Sequence, residues 1–498
     1  MGKTKTTIIN RFDGGISEDR RVDQSNKFAV TKHFDAFTYK HKLVPYMEAV
    51  VMEGASSNIR KFAIAEYDGS YRVMGLGDYN DTVTIFYRGY DGTLYRLSPS
   101  STIDYDLLNG YILFPYKDKL YTFADNRLIN FTPGGSWDNT GEDLTSITNV
   151  AEPVRHPNDD IAYFFYDNIV GKIDGANAFE DNKLVLPSNM YITSACPYGN
   201  YLAIACTTLD TLNPKSIVFL WDRDSSLTTI SERIDFGEGT IKKLANLAGN
   251  LTAVMDFYLT STYGLDKGKI LIKQANGQFA VTVNEIVSDN ALAKGVMGNG
   301  IVSDNILYQS MVIERYGDYR KGIWAIDSNG NTTLDYVDEN VADDGTEEYN
   351  AILKTGNVWY IAYGGTSSRC ELNKTKAISG DDYGFTSTYE SLIFDSGDLT
   401  KTKKLIGITV ETEALPSILG AVGQVVLKYR KDEDLDDATA WTTILTHSGE
   451  DEIRSSAINI SGATLPQHKE IQFRLESKNG AVITGLKFKT EFIEDDIY

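Results

Sequence analysis

The sequence predicts an all-β protein: a β-propeller of about six blades, within a range of five to seven, between an extended N-terminal arm and a C-terminal antiparallel β-sandwich. Three observations carry this. Runs of four to eight residues rich in Val, Ile, Thr, Tyr and Phe alternate with Gly, Asn and Asp turns along most of the chain. Junctions of a tight turn with an apolar strand recur near every fifty residues. Beyond residue 386 the strands alternate apolar and polar residues more strictly. At 498 residues the chain exceeds what one hydrophobic core fills, which implies at least two domains. Its 30 Tyr and 21 Phe supply the core material that a disordered chain lacks.

Residues 1–55 have no clear period and are rich in charge. Asp13-Gly14-Gly15 and Pro45 punctuate an extended arm that lies along its own domain or along a neighbour. The propeller is placed at 56–385. Residues 82–87 precede Tyr90-Asp91-Gly92, and 217–221 precede Asp222-Arg223-Asp224. Residues 323–326 lead through an Asn329-Gly330 turn into Thr332-Thr333-Leu334-Asp335-Tyr336, a hairpin whose turn requires φ > 0. The apolar spacing over 241–251 also fits a helix, but Gly249-Asn250 favours a strand running into a turn.

The recurring junctions are Asp68-Gly69-Ser70-Tyr71, Asp118-Lys119-Leu120-Tyr121, Gly199-Asn200-Tyr201-Leu202, Gly249-Asn250-Leu251, Asp304-Asn305-Ile306-Leu307 and Gly356-Asn357-Val358-Trp359. Their starts are 50, 81, 50, 55 and 52 residues apart, about the length of a four-stranded blade with its loops. The long interval contains Pro133-Gly134-Gly135 and Pro153 to Pro157, consistent with an inserted loop or an extra blade. WD-type and kelch-type signatures are absent, so the propeller rests on spacing. The sandwich is placed at 386–498. Phe394-Asp395-Ser396-Gly397-Asp398 marks the junction, and the strands include 405–412, 425–429, 441–444 and the alternating Ile471-Gln472-Phe473-Arg474-Leu475.

The sequence singles out no catalytic, cofactor-binding or metal-binding residue, and no cofactor is expected. Cys196, Cys206 and Cys370 cannot all pair and read as buried thiols. His33, His41, His156, His447 and His468 are dispersed without metal-ligand spacing. Gly75-Leu76-Gly77-Asp78 superficially resembles a phosphate loop, but no helix follows it, and a hairpin turn is the expected reading. A propeller glycosidase needs two carboxylates at the axial opening. Asp222, Asp224, Asp256 and Glu314 are available, but nothing distinguishes them among 69 acids. The acidic run 432–437 raises calcium, yet it lacks the glycine and distal glutamate of an EF-hand loop; a solvated hairpin loop is the simpler reading. Trp137 and Trp441 are candidate sugar-stacking residues, though core packing is the commoner role.

With 48 basic and 69 acidic residues the net charge is −21, which disfavours broad contact with nucleic acid or an anionic membrane. No secretory signal opens the sequence, and no run of about 18 apolar residues predicts a transmembrane helix.

The two ends carry a resemblance. Arg11-Phe12-Asp13-Gly14-Gly15-Ile16-Ser17-Glu18-Asp19-Arg20-Arg21, then His33-Phe34-Asp35 and Lys42-Leu43-Val44-Pro45-Tyr46, resemble the opening of tailed-bacteriophage virion proteins that lead into a β-propeller. Phe394-Asp395-Ser396-Gly397-Asp398, Lys403-Lys404-Leu405, Tyr429, Trp441 and Gln472-Phe473-Arg474-Leu475 are similar to sandwich domains appended to such proteins. The resemblance implies a structural tail component of the nozzle, stabilisation or head–tail kind, not an enzyme. It would assemble in the host cytoplasm and reside in the virion tail. Its partners would be copies of itself in a ring, a hexamer among the possible counts, and other tail or connector proteins. The ring would surround the DNA exit channel without specific nucleic-acid binding or membrane insertion, its acidic surface repelling the duplex. A host-surface glycan-binding or receptor-contacting tail protein is the alternative.

Overall fold

Seven four-stranded antiparallel sheets follow one another along residues 58–375 of a computed structural model, the seventh taking its fourth strand from Val50–Val51. The structure describes residues 3–493 apart from 18–19, 22–25, 47–49, 52–57, 80–81, 91–92, 98–111, 125, 133–136, 145, 175–177, 211, 224–229, 260–266, 289–294, 316–317, 338–347, 357, 365–370, 376–385, 419–420, 449–455 and 461–464. The sheets are the blades of a propeller. Blades 1 to 7 occupy 58–97, 114–143, 150–185, 190–238, 240–288, 295–336 and 348–375. The innermost strand of each blade lies beside that of the next, and the innermost strand of blade 7 returns to that of blade 1, which closes the ring. Blades 4 and 5 are also joined at their rims by one parallel pairing, Asp235 with Phe279.

The six aligned junctions are the hairpins between the first and second strands of blades 1, 2, 4, 5, 6 and 7. Asp68-Gly69, Ala248-Gly249 and Asp304-Asn305 each place two residues at positive φ, as the twist-matched two-residue turn requires. The long interval holds a complete blade, blade 3, whose hairpin turns through Pro157-Asn158-Asp159-Asp160. Blade number is therefore seven, at the upper end of the expected range. Thr240–Leu247 is a strand, and the helical spacing there is incidental. The Asn329-Gly330 turn needs positive φ only at Gly330.

Blade strands are buried on both faces, which explains near-continuous apolar runs such as Ile161–Tyr166. Separate apolar clusters fill the interfaces between blades 1 and 2, 2 and 3, 3 and 4, 4 and 5, 5 and 6, and 7 and 1. At the interface of blades 6 and 7, the cluster with Tyr308, Tyr336, Ile352 and Trp359 runs on into the sandwich through Phe34, Phe37 and Tyr46.

Gly75-Leu76-Gly77-Asp78 is neither a phosphate loop nor a hairpin turn. It lies inside the ten-residue strand Ser70–Tyr79. A Cβ on Gly75 would come within 3.3 Å of the Ile59 side chain.

The sandwich has two sheets. One runs Thr4–Ile9, Ile483–Phe492, Lys403–Thr412, Ser456–Ile460, with Gln467–His468 beside Lys403–Thr412. The other runs Phe28–Lys32, Ser387–Ser391, Ile471–Lys478, Gln424–Lys431, Thr442–Ser448. Phe394, Phe473 and Phe488 pack between them at centroid separations of 4.8–6.5 Å. The N-terminal arm is thus extended along its own chain. It gives an edge strand to each sandwich sheet, and Val50–Val51 pairs with Glu371–Thr375 as the outer strand of blade 7.

Candidate functional site

Innermost blade strands face the propeller axis, where a β-bulge recurs. Register shifts occur at Ile59/Lys61, Ala151/Val154, Ile192/Ser194, Ile241/Lys243, Met297/Ile301 and Tyr349/Ala351, in blades 1, 3, 4, 5, 6 and 7. A bulge puts two residues opposite one and re-aims the side chains beside it. Three such side chains meet. Lys61 Nζ donates to Glu152 Oε1 at 2.6 Å, and Lys243 Nζ donates to Glu152 Oε2 at 2.5 Å. They come from blades 1, 3 and 5, which are not neighbours, so the triad bridges the axial channel.

The side chains of Lys61, Lys243 and Glu152 are 6%, 13% and 26% exposed. Burial alone would raise the Glu152 carboxyl, but two ammoniums outweigh it and hold the group at about 2. Lys61, the most buried of the three, is pushed down by desolvation, which one shared carboxylate does not offset. Asp256, in the second strand of blade 5, accepts from the Val296 amide at 2.9 Å and lies 3.8 Å from Lys242. Burial lifts its carboxyl to about 6.

A second constellation lies on blade 1. Arg72 has its guanidinium 4.3, 5.5 and 5.9 Å from the rings of Tyr90, Tyr87 and Tyr67. Tyr67 and Tyr87 are 4.8 Å apart, and Tyr87 stacks on Tyr95 at 5.5 Å and 26°. The Tyr90 hydroxyl donates to Ser70 Oγ at 2.8 Å.

The third is the joint between propeller and sandwich. Gly14 and Gly15 thread between Asn26 and the outer strand of blade 6, where the Ile16 amide donates to the Thr332 carbonyl at 2.8 Å. A Cβ on Gly14 would stand 2.4 Å from the Asn26 carbonyl oxygen; Gly15 has φ +75° and backbone of Thr332 at 2.9 Å. Nearby, Tyr46 donates to Asp335 at 2.6 Å, and Thr31 and Thr333 share a hydroxyl bond at 2.6 Å. Burial, then the Asp335 charge, drives the Tyr46 phenol well above its usual range.

The residues weighed from sequence do not gather. Asp256 is sealed from solvent, Asp222 lies at the end of a blade 4 strand, and Asp224 and the Glu314 side chain lie outside the described residues. Asp432 Oδ1 accepts the amides of Lys469 and Glu470, and Asp437 Oδ1 accepts from Thr439, so both carboxylates serve the loop backbone. Among the described residues no group of three His, Cys, Asp or Glu is arranged to hold a metal ion. Cys196 and Cys206 are buried and unpaired; burial lifts the Cys196 thiol to about 12 and Cys206 further. Cys370 and the Trp137 side chain lie outside the described residues.

Trp441 is not core. It is half-buried on the outer face of the sandwich, with the guanidiniums of Arg430 and Arg474 at 4.4 and 4.3 Å. His156 locks blades 3 and 4: one ring nitrogen meets the Tyr201 carbonyl at 3.2 Å, and the other receives Arg223 at 2.9 Å. The triad and the Arg72 constellation were not anticipated. Tyr87 closes the predicted run 82–87 and Tyr90 opens the turn after it, with nothing in the sequence to join them to Arg72, Tyr67 or Tyr95, and no local motif marks Lys61, Glu152 or Lys243.

No protein-family model and no curated protein matches the sequence. Solved structures are similar in fold. Virginiamycin B lyase from Staphylococcus aureus is 11% identical, with 67% of this chain and 99% of that one covered and a TM-score of 0.43. A streptogramin B lyase is 9% identical, with 66% and 98% covered and a TM-score of 0.43. Chaetomium thermophilum Raptor is 10% identical, with 67% and 30% covered and a TM-score of 0.44. The likeness is one of fold and transfers no residue, substrate or activity. It corrects one expectation: propellers similar to this one include lyases, so reading the chain as a non-enzyme does not stand. Among the described residues no helix is long and apolar enough to cross a membrane.

Proposed function

We propose that this chain is a structural component of a tailed-phage virion, a tail protein of the nozzle, stabilisation or head–tail kind. It assembles in the host cytoplasm as a homo-oligomeric ring that contacts other tail or connector proteins. One observation carries the reading. The two stretches that resemble virion proteins, more than 300 residues apart in sequence, share one apolar core, in which Phe12, Phe34, Leu43 and Tyr46 pack with Phe394, Leu405, Phe473 and Leu475. The Phe12-Asp13-Gly14-Gly15-Ile16 stretch is the joint that fixes the sandwich to blade 6. Because the triad bridges the propeller axis, any DNA passage belongs to the space between subunits. The −21 charge suits a wall that duplex slides past. Mass spectrometry and electron microscopy of purified particles test this. Many copies per virion in a ring are expected; recovery only from infected-cell lysate overturns it.

The Arg72 constellation favours a second reading, in which the tail component also contacts host-surface glycan. Aromatic rings open to solvent on a rigid blade are a stacking surface for sugars.

A further inference from the structure

We infer that one face of blade 1 is a binding site for an anionic saccharide, with Arg72 taking the acidic group and Tyr90 stacking on the pyranose ring. This rests on the second reading above and goes beyond it in naming the ligand class and the residues. Arg72 stands out in a chain where acids outnumber bases by 69 to 48. Its Nε is buried with no hydrogen-bond partner, and no carboxylate pairs with it among the described residues. Three tyrosine rings surround the guanidinium. The Nε atoms of Arg88 and Arg223 are buried in the same way, so what distinguishes Arg72 is the cluster of three tyrosine rings around one guanidinium that no acid among the described residues neutralises. Guanidinium forks match carboxylate and phosphate oxygens.

The surrounding rings supply the second half. Tyr90 is 80% exposed, yet it is pinned at both ends, by its hydroxyl on Ser70 and by its face on Arg72. An exposed ring held in one orientation needs little further ordering to stack. The row Tyr67, Tyr87, Tyr95 continues the aromatic surface across three strands, and Tyr95 at its end is 42% exposed. An acidic peptide would use the guanidinium but gain little from such a row. A sugar chain uses both.

The test uses the full-length protein and three saccharides: an oligogalacturonate, its methyl ester as the neutral counterpart, and a phosphorylated mannan. Poly-glutamate of equal charge is the peptide control. Binding is read by calorimetry or glycan-surface retention. Expected are binding to one or both anionic saccharides, at least tenfold tighter than to the methyl ester, and weakening as salt is raised from 50 to 300 mM. Which anionic probe binds distinguishes carboxylate from phosphate as the acidic group. Arg72→Ala is expected to lose at least tenfold. Tyr90→Ala, at a position too exposed to unfold the blade, is expected to lose at least fivefold with an unchanged melting temperature. Equal binding of the neutral ester, or indifference to both substitutions, overturns the inference while leaving glycan contact standing. Equal binding of poly-glutamate replaces the saccharide with an acidic peptide and overturns it too. Retention of none of the saccharides removes both the inference and the glycan reading, but not the virion reading.

Discussion

Replacing Glu152 by glutamine keeps the shape of the side chain and removes the charge that compensates two ammoniums across the propeller axis. The size of the effect follows from the site. The carboxyl is held at about 2 against an ordinary 4.5. At about 1.4 kcal/mol per pH unit, that difference is worth roughly 3 kcal/mol of folding free energy at neutral pH. Breaking a buried ion pair by removing one partner costs a similar ~3–5 kcal/mol, because the remaining charge is stranded. Lys61, 6% exposed, is the charge that would be stranded. A cooperative unit of the propeller's size unfolds with about 0.7 kcal/mol/K of entropy, so the expected drop in melting temperature is about 4 °C. The pH dependence gives an independent sign. A depressed carboxyl stabilises the fold above its unfolded value and loses that contribution as pH falls through 4.5 toward 2. The parent should therefore lose stability over that window, and the Glu152→Gln variant should lose about 3 kcal/mol less there. Replacing Lys61, Glu152 and Lys243 together by methionine should recover most of the loss, since an apolar plug needs no counter-charge. Differential scanning calorimetry across pH measures all three. A Glu152→Gln protein that melts within 1 °C of the parent, with the same acid limb, refutes the reasoning.

Other predictions follow from burial and backbone geometry. Burial holds His468 at about 4 instead of 6.5. A histidine with a lowered value stabilises the fold above pH 6.5 and loses that contribution as pH falls toward 4, here roughly 3 kcal/mol; chemical denaturation of His468→Phe should show a flatter profile over that window. Gly15→Ala meets both a positive φ and a backbone contact at 2.9 Å, and should cost more than 2 kcal/mol; Gly69→Ala, at φ +69° in open space, should cost only ~1 kcal/mol. Equal denaturation midpoints for the two would sink the claim that Gly15 is a packing wedge. Cys196 and Cys206 should react with a thiol reagent at least a hundredfold more slowly in the native protein than in urea, read site by site from labelled peptides. Rapid native labelling of either would contradict their burial.

The blades were legible where their turns are made of residues that tolerate positive φ. Asp68-Gly69, Gly249 and Asp304-Asn305 announce their hairpins because the backbone there admits few other residues. Blade 3 escaped because Pro157-Asn158-Asp159-Asp160 makes a longer turn without glycine, so its interval reads as an insertion. The strict alternation of 471–475 was legible, but its polar positions do not simply face water. Gln472 is fully buried, receiving Arg430 at 2.8 Å and donating to the Ser391 carbonyl at 2.7 Å. The axial triad was illegible because it joins positions about ninety residues apart through a bulge in each strand, and bulges leave no mark in a hydrophobic pattern. The Arg72 constellation is set by the register that brings Tyr87 opposite both Met74 and Tyr95. Composition records the tyrosines without that register.

The pairing of Thr4–Ile9 with Ile483–Phe492 sets an order on biosynthesis. At about 5–20 residues per second, the first strand waits roughly 25–100 s for its partner to leave the ribosome. Val50–Val51 likewise waits for Glu371–Thr375 before the propeller can close. During that interval six blades can form while the arm and the edge of the last blade stay without partners, a period when open strand edges invite wrong pairings. Neither the sandwich nor the propeller can therefore close until both late strands have been made, and a chain cut short before them is left with unpaired edges in both domains.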